Sequence, residues 1–321
     1  MMTFLAGRIG TGLIILFLLT TLVFFIGYAA PGDPVMLSGG VTMSASTIFQ
    51  LRHEMGLDQP LLTRYARWIG QVVTGDFGYS VRQQRPVKEA ILDVLPCTFS
   101  LAGGAIVLEL IIGLAIGTAA ARFRSGTIDR VLSTVSLVIY TVPAFWLGIM
   151  LLSVFSYGLG LFPSSQLQSI NGGGNSTLES LADRIWHLGL PWLTLAVPGA
   201  GAIARYFRDS LITVRGEEYV LFARSRGVSP KTIFLSYELP NAVGAVIAVL
   251  GTEIGALLAG VVVTETVFAL PGMGRLAMTA ILTRDYPLIM GCTIFAGAVV
   301  IVGNLLADVA HGFIDPRVRL A

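Results

Sequence analysis

The run Ile9-Gly-Thr-Gly-Leu-Ile-Ile-Leu-Phe-Leu-Leu-Thr-Thr-Leu-Val-Phe-Phe-Ile-Gly-Tyr-Ala-Ala30 is 22 residues long and carries no charge. A hydrocarbon core of about 30 Å is crossed by roughly 20 helical residues at 1.5 Å each, so the run predicts a membrane-spanning helix. Arg8 precedes it, as in a secretory leader, but the run is longer than the usual apolar region of about 7–15 residues. It is read as a retained helix.

Five further runs are of the same kind. Residues 98–121 carry only Glu109, 131–161 are uncharged, and 188–204 contain Pro191 and Pro198. Residues 242–270 carry Glu253 and Glu265, and 286–307 are uncharged and close at Asp308. The whole chain agrees: of 321 residues, 54% are hydrophobic and 12% charged, against about 25% charged in a soluble domain. The expected fold is therefore an all-α polytopic membrane protein with six transmembrane helices. A net charge of +2 is too even for a nucleic-acid binder. Cys97, Cys292, His53, His187 and His311 show no CxxC or HxxxH spacing, which excludes a disulfide framework and leaves no metal site to name.

The few charges give the orientation, because Lys and Arg concentrate in cytoplasmic loops. With the N-terminus inside, the inner segments hold Arg8, Arg122, Arg124, Arg130, Arg205, Arg208, Arg215, Arg224, Arg226, Lys231, Arg317 and Arg319, against six acids. The outer segments balance nine basic with nine acidic residues. Both termini are expected in the cytoplasm.

Two outer segments are long. In 31–96, residues 44–55 and 61–73 read as helices, the second with apolar and aromatic residues at helical intervals around Arg64 and Arg67. This segment is expected to form a small extracytoplasmic subdomain. The other, 162–187, holds Asn171-Gly-Gly-Gly-Asn175, the composition of a flexible tip. No internal inverted repeat of the secondary-transporter kind is visible.

The most specific stretch lies between the fourth and fifth runs: Arg215-Gly-Glu-Glu-Tyr-Val-Leu-Phe-Ala-Arg-Ser-Arg-Gly-Val-Ser-Pro-Lys-Thr-Ile-Phe234, followed by Leu239-Pro-Asn241. Glu217 and Glu218 suit the first turn of a short helix, Arg224 and Arg226 its last turn, and Gly227 the position just past its end. Ser229 and Pro230 then supply the N-cap and first position of a second short helix.

This stretch resembles the cytoplasmic loop of ATP-binding-cassette importer permeases. With Gly227 as its glycine, Ala223 falls on an alanine of the pattern and Leu239 and Pro240 on its closing Leu-Pro pair. Tyr219-Val220, Ala223-Arg224 and Gly227-Val228-Ser229 match the peptide and nickel branch of that family. Further matches follow in order: Pro31-Gly-Asp-Pro34, Gly56-Leu-Asp-Gln-Pro60, Gly75-Asp-Phe-Gly-Tyr-Ser80, Pro143-Ala-Phe-Trp146 and His187-Leu-Gly-Leu-Pro191. Glu265-Thr-Val-Phe268, Pro271-Gly-Met-Gly274, Arg284-Asp-Tyr-Pro287, Asn304-Leu-Leu-Ala-Asp308 and Asp315-Pro-Arg317 complete the set. One segment departs: where the family carries a basic His-x-x-Arg-Asn, this chain has Tyr237-Glu-Leu-Pro-Asn241, keeping only Asn241.

The resemblance implies a type I importer transmembrane domain, MetI-like, in the cytoplasmic membrane of a bacterium or archaeon. It divides the chain into a first helix (1–30), the outer subdomain (31–96), a core permease domain (97–311) containing a coupling loop (214–240), and a tail (312–321). It further implies a second homologous permease, two ATP-binding subunits or an equivalent two-domain pair, and an extracytoplasmic solute-binding protein. The implied cargo is a peptide or a nickel or other metal chelate. Glu218, Tyr219, Ala223, Arg224, Arg226, Gly227, Ser229 and Pro230 would couple to the ATPase subunit, with Leu239, Pro240 and Asn241 ending the loop.

Only Lys88 and Lys231 are present, neither in a GxxxxGK[ST] loop. ATP and Mg are accordingly expected on partner subunits, with no cofactor and no catalytic residue here. The acids within the runs leave two readings open, since an ionised carboxylate at a helix centre costs roughly 2.5–3.5 kcal/mol. Glu109 and Glu253, the deepest, either contact cargo in the pathway or bond to neighbouring helices; Glu265 and Asp308 sit nearer helix ends. A different class of function, an ion- or proton-coupled secondary transporter, would use Glu109 and Glu253 as relays. Gly113-x-x-x-Gly117 and Gly251-x-x-x-Gly255 are spaced for close helix approach, and Pro143, Pro191 and Pro198 are expected to kink their helices.

Overall fold

The computed structural model describes residues 2–29, 58–80, 82–169 and 176–314, without the side chains of 2–5, 252–256, 258 and 310–314. The helix expected over 44–55 and the glycine-rich tip 171–175 lie outside the described residues. Eleven α-helices are described: α1 (Met2–Ala29), α2 (Leu61–Val73), α3 (Val87–Arg122), α4 (Thr127–Thr141), α5 (Ala144–Leu151), α6 (Thr177–Arg215), α7 (Glu218–Ser225), α8 (Pro230–Ile233), α9 (Leu239–Val267), α10 (Met273–Thr283) and α11 (Tyr286–Ile314). Wider π-helical turns extend α5 over Leu152–Gly158 and join α8 to α9 over Phe234–Glu238. A two-residue antiparallel ladder pairs β1 (Tyr79–Ser80) with β2 (Arg85–Pro86). Among the described residues five helices are long and apolar enough to cross a membrane, and six spans result if the bent pair α4 and α5 counts as one.

That bent pair is where the structure differs most from a row of six simple spans. The uncharged run 131–161 is not one helix, because α4 and the α5 segment meet at an angle of 100°. Pro143 is the cause. It donates no hydrogen bond and forces its predecessor out of helical geometry, and Val142 is extended, with φ −71° and ψ 125°. Pro191 and Pro198 have no such effect on α6, which remains helical through both. The run 188–204 marks only the middle of α6. Its start is set upstream by a capping box in which Ser176 Oγ accepts from the Glu179 N–H and Glu179 accepts from the Ser176 N–H. The short amphipathic helix α10 was not foreseen, and α11 continues past Asp308.

The residues group into two compact units. One is made from Leu5–Thr98 and Pro271–Ile301. Its core brings Val87, Ile91 and Leu95 of α3 against Met273, Leu276 and Ala280 of α10 and Leu288 and Cys292 of α11. Two buried hydroxyls fasten it. Ser80 Oγ donates to Asp285 at 2.5 Å, and Thr98 Oγ accepts from the Met273 N–H at 2.8 Å. The α2 helix, which occupies the residues expected from its periodicity, lays Tyr65 and Trp68 on Phe24 of α1, and Thr21 Oγ pairs with the Tyr65 hydroxyl at 2.7 Å.

The second unit is built around Phe99–Leu270. Its axis is α6, whose Ile203, Phe207 and Leu211 are fully buried. Gly113 and Gly117 of α3 let the two helices meet at backbone distance. A Cβ added at Gly113 would stand 2.6 Å from Ile203 Cγ2, and one at Gly117 would stand 2.7 Å from the Ala204 carbonyl oxygen. The spacing read as a close-approach motif thus performs that role. A Cβ added at Gly251 would stand 3.1 Å from Ala307 Cβ, while Gly255 lies outside the described side chains.

Because overpacking a tight contact costs about 1–3 kcal/mol, Gly117→Leu is expected to lower the thermal unfolding temperature of the detergent-purified protein. Gly103→Leu on the same helix, where a Cβ meets nothing within 4 Å, is expected to leave it unchanged.

Candidate functional site

Residues 214–240 form a helix, a tight reversal and a second helix turn, each part dictated locally. Glu217 is the extended N-cap of α7 and Glu218 its first residue, placing two negative charges at the positive end of the helix. At the other end Gly227 has φ +74°, a left-handed geometry that glycine adopts without penalty. Its N–H reaches the Arg224 carbonyl at 3.0 Å, and the Val228 N–H reaches the Ala223 carbonyl at 3.2 Å. Together these two bonds form a Schellman closure. Ser229 Oγ then accepts from the Thr232 N–H at 3.2 Å, with Pro230 at the first position of α8. The helix-ending position of Gly227 and the N-cap and first-turn positions of Ser229 and Pro230 expected from sequence are those observed.

The two faces of α7 differ. Val220 and Ala223 are buried, and with Ile233 they join Phe207, Leu211 and Val214 of α6 in one apolar cluster. On the other side Tyr219, Leu221 and Phe222 are exposed, Phe222 to 64%. Arg226 lies over the Phe222 ring at 5.7 Å, and Ser229 and Pro230 are exposed. Partial desolvation, then the charges of Glu217 and Glu238, push the Tyr219 phenol above its ordinary value.

The anchor of the loop is Glu238, 3% exposed. Its Oε2 accepts from Arg215 Nε at 2.8 Å, and its Oε1 accepts from an Arg224 guanidinium nitrogen at 3.3 Å. Arg215 also donates to the Ala121 carbonyl at the end of α3, at 2.7 Å. One carboxylate therefore ties the end of α6, the end of α7 and the start of α9, and through Arg215 reaches α3. It lies in the π-helical turn immediately before Pro240, whose missing N–H cannot return a hydrogen bond into that turn. Asn241 closes the turn by donating to the Tyr237 carbonyl at 2.7 Å, while Tyr237 and Leu239 pack on the apolar cluster. The atypical Tyr237-Glu-Leu-Pro-Asn241 segment thus has its own internal logic, with a buried acid facing two arginines. Nothing in the sequence marked Glu238 as the anchor; Arg215, 23 residues upstream, meets it only through the fold.

A second clamp sits one helix pair away. Arg208 of α6 holds Asp129 of α4 through two bonds, at 2.6 and 2.7 Å, and Asp129 also accepts from the Ser125 N–H. These charges frame the apolar runs, and that framing was the available signal.

The expected pathway acids are not gathered with this loop. Glu109, 2% exposed, lies against Gly199 of α6, where an added Cβ would come 2.3 Å from Oε1. The Glu253 side chain lies outside the described residues. Glu265 is fully buried at the end of α9. Among the described residues no group of three His, Cys, Asp or Glu side chains is placed to hold a metal.

The family model described as the binding-protein-dependent transport system inner membrane component matches residues 113–320, and its N-terminal companion matches residues 1–102. The chain belongs to this family. The permease is similar to the oligopeptide transport system permease protein AppB of Bacillus subtilis (strain 168), 35% identical over 302 residues that cover 94% of each chain. It is also 35% identical, over 317 residues, to the probable D,D-dipeptide transport system permease protein DdpB of Escherichia coli (strain K12), covering 92% of this chain and 91% of that one. Among solved structures, an inward-facing MetNI methionine ABC transporter chain shares the fold with a TM-score of 0.54 at 14% identity, over 70% of the permease and 95% of that chain. The permease is therefore a multi-pass membrane component of an ABC importer, and the proton-coupled alternative is set aside.

Removing Glu238 leaves Arg215, partly buried beside the cavity, without its carboxylate partner. Glu238→Ala is expected to cost about 1–3 kcal/mol, in the range of a lost charged hydrogen bond, whereas Arg224→Ala, whose side chain is half exposed, is expected to cost under about 1 kcal/mol. Thermal unfolding of the two purified variants checks the order.

Proposed function

We propose that this chain forms half of the translocation pathway for peptides, delivered by an extracytoplasmic solute-binding protein and driven by ATP hydrolysed in separate subunits. The names of the aligned relatives, oligopeptide and dipeptide permeases, favour peptides over the nickel and metal-chelate branch. A second homologous permease completes the pathway. Two ATP-binding subunits, or an equivalent two-domain pair, hold ATP and Mg, and the loop 214–240 and both termini face them in the cytoplasm.

One observation carries this reading: α7 exposes Tyr219, Leu221 and Phe222 on one side while its other side is fixed to α6 and α9. A short helix with an exposed apolar and aromatic face, rigidly tethered behind, fits a cleft in a partner subunit and moves only together with its spans. Glu218, Arg226 and Ser229 border the docking face. Arg224 and Gly227 work behind it, the first through Glu238 and the second by making the reversal, so their substitution loosens the lever without removing a contact.

Two variants test this in the reconstituted complex. Phe222→Asp is expected to lower cargo-stimulated ATP hydrolysis about tenfold or more, the loss typical of a buried aromatic anchor, and to release the ATPase subunits during purification. Gly227→Val, strained by the positive φ, is expected to reduce stimulation while the subunits still copurify. Normal stimulation in both would count decisively against docking through α7.

A further inference from the structure

Behind α7, on the side away from the docking face, lies a cavity of about 970 Å³. Arg122 at the end of α3, Arg124 in the turn that follows it, Arg215, Arg224 and Lys231 line it, with Glu238 as the single acid among the lining residues. Glu238 is already held by Arg215 and Arg224. Arg122, Arg124 and Lys231 have no ion-pair partner among the described residues. Three uncompensated cations around one concave space make a site for an anion, and the permease as described supplies none.

The neighbourhood indicates the source of that anion. Arg122 directly follows the apolar run 98–121 and is the last residue of α3, which places the cavity at the charged end of a candidate span. Phe123, between the two arginines, is 45% exposed, and Ile128 and Val131 on α4 are 48% and 54% exposed. Cations at the end of a candidate span, with exposed apolar side chains within a few residues of them in the chain, match a molecule with a phosphate at one end and acyl chains at the other. Basic pockets between spans at a cytoplasmic surface hold phospholipid headgroups in this way. Free phosphate would use the cations but not the exposed apolar side chains of Phe123, Ile128 and Val131, and an acidic protein segment would approach from water.

We propose that this cavity is a binding site for the phosphate of an anionic phospholipid headgroup, held by Arg122, Arg124 and Lys231. The lipid then sits against the rear of the coupling loop and adds to what holds α7 in place. Its inner-leaflet placement rests on the orientation proposed above, whereas binding itself can be measured in detergent, where orientation has no meaning.

The test is native mass spectrometry of the purified full-length chain, titrated with phosphatidylglycerol or phosphatidylcholine. Phosphatidylglycerol is expected to be retained preferentially by the native chain. Arg122→Gln, Arg124→Gln and Lys231→Gln combined should weaken it about 100-fold, from the roughly fivefold each surface cation contributes, whereas the charge-conserving combination Arg122→Lys, Arg124→Lys and Lys231→Arg should retain it. An unfolding scan confirms that the neutral variant is folded; if it is not, the three single substitutions, each expected to cost about fivefold, are read instead. Equal retention of the two lipids, or equal phosphatidylglycerol binding by native and neutral chains, would overturn the site. Displacement by inorganic phosphate at matched concentration would overturn the lipid as its source. Loss of bound phosphatidylglycerol when the ATPase subunits are added would overturn it in favour of an acidic protein group.

Discussion

A carboxylate removed from water must be matched by donors or it destabilises the fold that buries it. At Glu238 that requirement is met by Arg215 from α6 and Arg224 from α7, and Arg215 spends a further donor on the last turn of α3. Four helices therefore share one buried charge. The apolar cluster of Phe207, Leu211, Val220, Ala223 and Ile233 supplies most of the burial there, but such contacts are non-directional. The charge fixes the direction in which α7 points.

From that anchor the rest of the loop follows. The π-helical turn before Pro240 carries Glu238 inward, the Schellman closure at Gly227 reverses the chain within two residues, and the capped turn at Ser229 returns it towards α9. What faces outward is an apolar surface of Tyr219, Leu221 and Phe222 that the described residues leave uncovered. Asp129 with Arg208 repeats the device between α4 and α6. Close helix contact at Gly113 and Gly117 joins α3 to the same axis. Through these contacts α7 is connected to three spanning helices, α3, α6 and α9.

Much of this was legible in the sequence where the determinants are local. Uncharged runs located the spans, the Leu61–Val73 periodicity located α2, and Gly227, Ser229 and Pro230 announced their caps because each acts on the backbone within a few residues. The break at Pro143 was legible as a kink but not as a 100° turn, since the apolar composition on both sides hid the change of direction. The length of α6 was underread because its ends carry charges such as Glu179 and Arg215 that an apolar-run criterion excludes. Glu238 escaped altogether: its partners lie 14 and 23 residues away, and the local pattern showed only a departure from the usual basic residues. Its meaning exists only once α6, α7 and α9 are packed.

The central claim is that α7 is locked to α6 by Glu238 and moves with it as one body. Spin labels at Ser225 on α7 and Thr213 on α6, both exposed, report this directly by pulsed dipolar spectroscopy in the assembled transporter, with Cys97 and Cys292 replaced. The account predicts one narrow distance that is the same without nucleotide and with ATP bound, and that broadens in Glu238→Gln. A distance that changes between the nucleotide states in the native protein, or one indifferent to Glu238→Gln, would contradict it.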